Sequence, residues 1–166
     1  IGGDLMTEEI LLKMIEYFDG DVKRINHAIK VYQFAKLISY KENMEEDEYR
    51  ALELAAILHD IGIKNAERKY NSSAGKYQEI EGPAVAEELL NEFNIKKDIL
   101  ERIKFLIGNH HSYNKIDKID FQILIESDFL VNIDEDNMKI ENIKVIKNKY
   151  FRTNMGIKLI ESMYIE

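Results

Sequence analysis

Residues 54–64 read LAAILHDIGIK, an apolar helical run that ends at the adjacent His59 and Asp60 and is closely followed by Gly62. Burying a carboxylate at the end of an apolar helix is costly unless a cation or hydrogen-bond donors compensate its charge. Imidazole nitrogens and carboxylate oxygens are also ligands of transition metals. Alternatively, the pair lies at an exposed helix end, where water and the helix dipole satisfy both side chains. The other histidines and acids of the chain decide between these two interpretations.

The composition is typical of a globular protein with a substantial core. The chain has 166 residues, of which 45% are hydrophobic and 33% are charged, so we expect one domain over residues 1–166. A net charge of −8 disfavours nucleic-acid binding, because phosphates would be repelled. The absence of cysteine excludes disulfides and thiolate metal sites. No apolar run reaches the roughly 18 residues of a membrane helix and no signal peptide is visible, so we expect a cytoplasmic protein.

Hydrophobic periodicity predicts an all-α bundle of seven or eight helices. Gly62 suits the position that follows a helix C-terminus, and Pro83 suits the first turn of a helix. We predict helices over about 7–18, 22–40, 48–58, 83–93, 96–110, 120–131, 138–150 and 154–163.

Residues 64–81 show neither a helical nor a strand period. A long segment of this kind is usually a functional lid or a disordered insert. It contains the basic residues Lys64, Arg68, Lys69 and Lys76, in a protein that is acidic overall. We therefore predict a pliable basic loop over an anionic ligand, with Lys69 and Lys76 as substrate contacts; the alternative is a solvated surface loop.

All four histidines of the chain lie on or beside predicted apolar helix faces: His27, His59, His110 and His111. Asp128 likewise stands where the helical pattern of its segment would place a leucine. A single histidine of this kind is more often a satisfied core residue than a ligand. Helix bundles, however, build metal sites from inward side chains of several helices. Together these residues predict a divalent transition metal, and nitrogen and oxygen ligands fit Mn, Fe, Co, Ni or Zn.

The order and spacing of His27, the pair His59-Asp60 and the distant Asp128 resemble the pattern of the HD-domain metal-dependent phosphohydrolases. Residues 59–62 match the HDIG variant of that pattern letter for letter. The resemblance covers about residues 20–135. It implies an all-α HD-domain bundle, with the C-terminal helices packed on this core, in which the four residues hold a divalent cation.

Asn109-His110-His111 resembles a histidine pair found in family members that hold two or more metals, the HD-GYP phosphodiesterases among them. Those members have another histidine four residues before the glycine that corresponds to Gly82, where this chain has Gln78. Glu79 or Glu81 would then have to substitute as a ligand. The number of metals, one or two, stays open; without a second metal, His110 and His111 would contact substrate phosphate or hold Asp60 in place.

The family resemblance implies hydrolysis of a phosphoester of a small phosphorylated metabolite, and we expect a nucleotide. A metal-activated water would attack phosphorus while Asp60 takes up its proton. Lys64 and Arg24 would contact phosphate oxygens, although Arg24 also suits an ion pair with Asp21 or Glu42. The alternatives are a di-iron oxygenase, which the HD fold also hosts, and a nucleotide-binding regulatory domain without turnover. A homodimer is left open, and no membrane partner is expected.

Overall fold

The computed structural model describes residues 5–165, which form nine α-helices and no strand. The all-α prediction is confirmed, with one helix more than the upper end of the predicted number. A 3₁₀ turn at Tyr113–Lys115 precedes the seventh helix, and a π-helical turn at Glu161–Ile165 follows the ninth. The helices are α1 Leu5–Phe18, α2 Val22–Ser39, α3 Glu46–Leu58, α4 Ile63–Tyr70, α5 Gly75–Leu90, α6 Lys97–Asn109, α7 Ile119–Glu135, α8 Ile140–Tyr150 and α9 Asn154–Ile160.

Two helices, α3 and α7, form the centre of the bundle. Every residue of α3 from Ala51 to Leu58 is buried, and so is every residue of α7 from Ile123 to Val131. A helix that is apolar on all sides has to be surrounded by others, and α3 packs against α2, α6 and α7. The His-Asp pair at the end of α3 therefore lies inside the bundle. None of the helices in the described part of the chain is long and apolar enough to cross a membrane.

The prediction of an irregular loop over residues 64–81 is wrong. These residues form α4 and the first turns of α5, joined by a short turn at residues 71–74. α4 was missed because it is only eight residues long and buries only Ile63 and Ala66, so few apolar residues mark its inner face. Asn71 ends α4 in the left-handed region, at φ 53°, which asparagine tolerates better than most residues. Pro83 consequently lies inside α5 instead of at its first turn.

Gly62 is required by a close approach between backbones, and not by a left-handed helix end. Its φ is −78°, which any residue adopts. A Cβ atom at this position would lie 2.6 Å from the backbone nitrogen of Gly82 and 2.7 Å from the carbonyl oxygen of Gln78. On the far side, a Cβ at Gly82 would lie 2.7 Å from Ile107. The two glycines therefore allow α5 to lie directly between the start of α4 and helix α6, next to the His-Asp pair.

The C-terminal helices are attached to α7 through one buried carboxylate. Glu126 accepts hydrogen bonds from the hydroxyl of Thr153 at 2.6 Å and from the backbone amides of Arg152 and Thr153 at 2.9 and 3.0 Å. A Cβ at Gly156 would overlap this carboxylate. The bonds compensate the charge of a fully buried glutamate and fix the junction between α8 and α9 against the helix that carries Asp128.

Candidate metal centre

Two helices, α2 and α7, and the end of a third, α3, bring four of the predicted ligands together inside the bundle. The Nε2 atom of His27, on α2, lies 3.1 Å from Nε2 of His59, which follows α3. It also lies 3.0 Å from Oδ1 of Asp128, on α7, and 3.3 Å from Oδ2 of Asp60. His59 Nε2 in turn lies 3.4 Å from each of those two oxygens. Four side chains from distant parts of the sequence thus direct one ligand atom each at the same small volume.

Hydrogen bonds to backbone carbonyls fix which nitrogen of two histidines faces this volume. His59 Nδ1 lies 2.8 Å from the carbonyl of Ala56, and His110 Nδ1 lies 2.7 Å from that of Ile107. Since a carbonyl oxygen can only accept, Nδ1 donates in both rings, so in the neutral form of each ring Nε2 is the nitrogen with the lone pair. Lone pairs that converge without a proton between them repel one another, so a positive charge must lie among them.

Asp60 divides its two carboxylate oxygens between two groups of ligands. Its Oδ2 faces His27 and His59, while its Oδ1 lies 3.2 Å from Nε2 of His110. His27, His59 and Asp60 form one group whose ligand atoms lie within 4.8 Å of one another, and Asp60, His110 and His111 form another. Because they offer only nitrogen and oxygen donors and are largely buried, the two groups fit divalent transition metals.

Comparison with known protein families identifies the family of this chain. Residues 24–146 match the family model described as HD domain. The chain belongs to the HD-domain family. No curated protein and no solved structure gives a significant match to it. The matched segment contains both ligand groups and Asp128, and membership in this family indicates metal-dependent hydrolase chemistry.

Glu135 is a residue of this HD-domain centre that sequence reasoning missed. The carboxylate of Glu135 contacts Nδ1 of His27. Glu135 lies two turns after Asp128 on the same face of α7, and a spacing of seven residues was the available signal. A carboxylate on the outer nitrogen of a ligating histidine orients the ring and makes its other nitrogen more basic. Glu135 therefore holds His27 with Nε2 turned toward the centre.

The residues considered for the missing histidine ligand have separate partners. Glu81 accepts from the Lys69 amine at 2.7 Å and from the Tyr70 hydroxyl at 3.1 Å, so it belongs to the α4–α5 contact. Glu79 accepts from the Ser112 hydroxyl at 2.9 Å. Gln78 itself faces the centre, with its Oε1 atom 3.2 Å from Nε2 of His111. The residue at the position of the missing histidine is thus the one directed at the second group.

Of the basic residues assigned to substrate, Arg24 is the one that borders the centre. Arg24 lines a cavity of about 420 Å³ together with His27 and Asp60, and it is paired with both Asp21 and Glu67. The alternative given for Arg24, an ion pair with Asp21, is present at 3.2 Å.

The three predicted lysine contacts make their interactions elsewhere. The amine of Lys64 donates to the carbonyl of Tyr17 at 3.0 Å, which directs it toward α1. Lys69 pairs with Glu81, and the amine of Lys76 lies 4.8 Å from the centre of the Tyr77 ring.

The pKa values of several histidines and aspartates in the centre are shifted by burial and by the charges of their close neighbours. Burial raises the pKa of Asp60 and of Asp128, but the surrounding histidines outweigh burial and hold both pKa values below their usual range. Burial lowers the pKa of His27, yet the hydrogen bond to Asp128 and the charge of Asp60 raise it to about 10. Burial and the neighbouring His110 lower the pKa of His111 to about 4. In the cation-free protein a proton on His27 supplies the positive charge that the carboxylates require, and a metal ion has to displace it.

Proposed function

We propose that this HD-domain protein is a metal-dependent phosphohydrolase that cleaves a phosphoester of a small phosphorylated metabolite, with a nucleotide as the expected substrate class. The observation that carries the proposal is the position of Asp60, whose two oxygens face different histidine groups. A carboxylate in that position can hold two cations close to each other, an arrangement well suited to displacement at phosphorus. From the same observation we infer that each chain binds one or two divalent ions.

When bound, a divalent cation would supply Lewis-acid polarisation of a phosphoryl oxygen and a lowered pKa for a bound water. The residues of the chain would orient the ligand atoms and keep the carboxylates ionised. Hydrogen bonds to the carbonyls of Ala56 and Ile107 hold the rings of His59 and His110 in their orientations. Asp60 and Asp128 stay ionised because their pKa values are held low. A carboxylate has more lone pairs than two cations use, and we assign uptake of the proton that leaves the attacking water to one of the remaining lone pairs of Asp60.

The cavity that opens onto the first ligand group suits a small substrate. Its volume is about 420 Å³, within the usual range of small-molecule sites. Carboxylates outnumber cations among the residues that line it: Asp21, Asp60, Glu67, Glu135 and Asp136 against Lys23 and Arg24. A phosphate group would be repelled from this entrance until metal binding compensates the negative charge. We therefore infer an ordered reaction in which the metal binds before the substrate.

Arg24 is the side chain best placed to bind a phosphate at this entrance. It lies three residues before His27 on α2, so the two side chains share one face of the helix. Its guanidinium group already contacts two carboxylates, Asp21 and Glu67. A phosphate oxygen can replace the more exposed Glu67 without leaving any donor buried and unpaired. The planar, forked guanidinium then offers two parallel hydrogen bonds to the phosphate.

Metal analysis combined with a substrate panel tests the proposal. Protein loaded with Mn²⁺, Co²⁺ or Ni²⁺ is assayed for phosphate release from nucleoside monophosphates, nucleotide phosphodiesters and p-nitrophenyl esters. We expect hydrolysis that a chelator removes and that His59→Ala and Asp60→Ala abolish, while Asp47→Asn, which breaks a surface ion pair with Lys96, leaves it unchanged. Turnover that survives both site substitutions would come from a contaminant and would overturn the proposal. Dioxygen consumption without phosphate release would instead identify an oxygenase.

A further inference from the structure

Gln78 is a buried side chain whose orientation is fixed by the backbone. It lies on α5 with 7% of its surface exposed. Its Nε2 atom donates to the carbonyl of Ser73 at 2.6 Å. Since that carbonyl can only accept, a flipped carboxamide would set two oxygens against each other. The Oε1 atom is therefore the end directed at His111, at 3.2 Å from Nε2 of that ring.

The surrounding backbone leaves Gln78 little freedom to move. A Cβ at Gly75 would lie 2.8 Å from the His111 ring, so the first turn of α5 rests directly on that histidine. The close contact between Gly62 and Gly82 holds the next turns of α5 against the start of α4. Gln78 lies between these two contacts. The position of α5 therefore sets the distance between the Gln78 oxygen and His111.

From this geometry we propose that the amide oxygen of Gln78 is the fourth protein donor of a second cation site, together with Asp60, His110 and His111. The inference rests on the metal-dependent function proposed above and adds a specific donor to it. The two carboxylates nearest in sequence already accept hydrogen bonds, Glu79 from the Ser112 hydroxyl and the His111 backbone amide, and Glu81 from Lys69. The Gln78 oxygen is directed by its own hydrogen bond toward the ring of a member of the second ligand group.

An amide donor makes the two cation sites unequal. The first group and the adjacent Asp128 together offer two imidazoles and two carboxylates, from His27, His59, Asp60 and Asp128. The second offers two imidazoles, the neutral Gln78 oxygen and only the shared carboxylate, so it carries less negative charge. Fewer charged ligands and a neutral oxygen reduce affinity and favour cations that accept oxygen donors, such as Mn²⁺, over those that prefer nitrogen. The sites therefore load in sequence, the first at low and the second at higher cation concentration.

Titration of the metal-free protein with Mn²⁺, Ni²⁺ and Zn²⁺, followed by calorimetry and by Mn²⁺ electron paramagnetic resonance, tests this donor without any turnover. We expect two binding steps, and Gln78→Leu to weaken the second step about tenfold or more while leaving the first unchanged. Gln78→His should tighten the second step and shift its preference from Mn²⁺ toward Ni²⁺ and Zn²⁺. Gln33→Leu, at an exposed position of α2, is the matched control and should change neither step.

The selectivity shift separates a donor from a residue that merely supports His111, because a supporting side chain would alter affinity without changing which metal is preferred. The inference is overturned if the second step keeps both its affinity and its metal preference in Gln78→His, or if the wild type binds a single cation. Circular dichroism and thermal unfolding verify that each variant is folded. A protein that shows the Gln78-dependent step yet releases no phosphate would refute the hydrolase proposal and leave this one intact. Hydrolysis with a single bound cation would support the hydrolase proposal and refute the Gln78 inference.

Discussion

Glu135 contacts the outer nitrogen of His27, so that the inner nitrogen of the ring faces Asp128 at 3.0 Å. The carboxylates of Glu135 and Asp128 lie two helical turns apart on α7 and contact the two different nitrogens of the ring. This relationship predicts that Glu135→Gln keeps the fold but weakens metal binding about 10- to 100-fold, because the ring loses the carboxylate that orients it. Metal content after dialysis against a graded series of chelator concentrations measures the change.

Glu141→Gln provides the control for Glu135, since it removes an exposed acid from the first turn of α8. It should leave metal content unchanged. Equal retention of metal by Glu135→Gln and by the wild type would show that His27 needs no such partner.

Protons and cations compete for the centre, so stability should depend on pH and metal together. The pKa of His27 is raised from 6.5 to about 10 in the cation-free protein. Its protonation therefore stabilises the fold fully below pH 6.5, and this contribution disappears as the pH rises toward 10. The pKa values of Asp60 and Asp128 are lowered, so their contribution is present above about pH 4 and is lost in acid.

We accordingly expect the chelator-treated protein to lose a few kcal/mol of unfolding free energy between pH 6.5 and 10, whereas protein saturated with Mn²⁺ should lose much less. Urea unfolding at several pH values, with and without metal, measures both curves. His27→Gln should flatten the pH dependence of the metal-free protein. A parallel decline of the two curves would mean that His27 is not the group responsible.

Three of the ligands that the sequence identified lie in, or directly after, helices with long apolar faces or runs. His27, His59 and Asp128 each interrupt an apolar stripe, so their burial could be read from position alone, and the structure brings them together. The sequence does not show, however, which partner across the bundle a side chain is directed at. Lys64 follows the His-Asp pair closely in sequence, but the packing of α1 places the Tyr17 carbonyl where its amine can bond.

Gln78 and Glu135 were missed for two different physical reasons. The start of α5 is polar enough that residues 64–81 show no period, so nothing in the sequence indicated that Gln78 is buried. Glu135 closes α7, where an acidic residue ordinarily faces water. Its contact with His27 depends on how α2 crosses α7, and this is a tertiary property that neither segment records.

The close backbone contact at Gly62 predicts a large penalty for the smallest substitution. A Cβ there would meet backbone atoms of Gly82 and Gln78 at 2.6 and 2.7 Å, and backbone atoms cannot move aside as a side-chain tip can. We expect Gly62→Ala to destabilise the protein by about 2 kcal/mol or more. It should also weaken cation binding at the second group, because α5 carries Gln78. Urea unfolding and metal titration of the same samples measure both effects.

Gly108→Ala is the matched comparison for Gly62→Ala. Its Cβ would lie 3.2 Å from a Pro83 side-chain atom, a contact that a small shift can relieve. Alanine inside a helix also gains up to about 1 kcal/mol over glycine. Stability should therefore change little or rise. A similar loss in both variants would indicate that the Gly62 contact has no special role.

Arg24 and Lys64 are predicted to behave differently although the sequence assigned both to phosphate. Arg24 lines the entrance beside His27 and Asp60, while the Lys64 amine is bonded to Tyr17. Arg24→Gln should raise KM for a phosphorylated substrate about tenfold or more and leave metal content unchanged, since charged hydrogen bonds contribute about 1.5–3 kcal/mol. Lys64→Gln should alter KM by less than about twofold. Arg24→Lys keeps the charge but loses the forked donor, so only partial recovery is expected. Should Lys64→Gln raise KM as strongly as Arg24→Gln, the Lys64 side chain must leave Tyr17 when substrate binds, and the assignment of phosphate binding to Arg24 alone would fail.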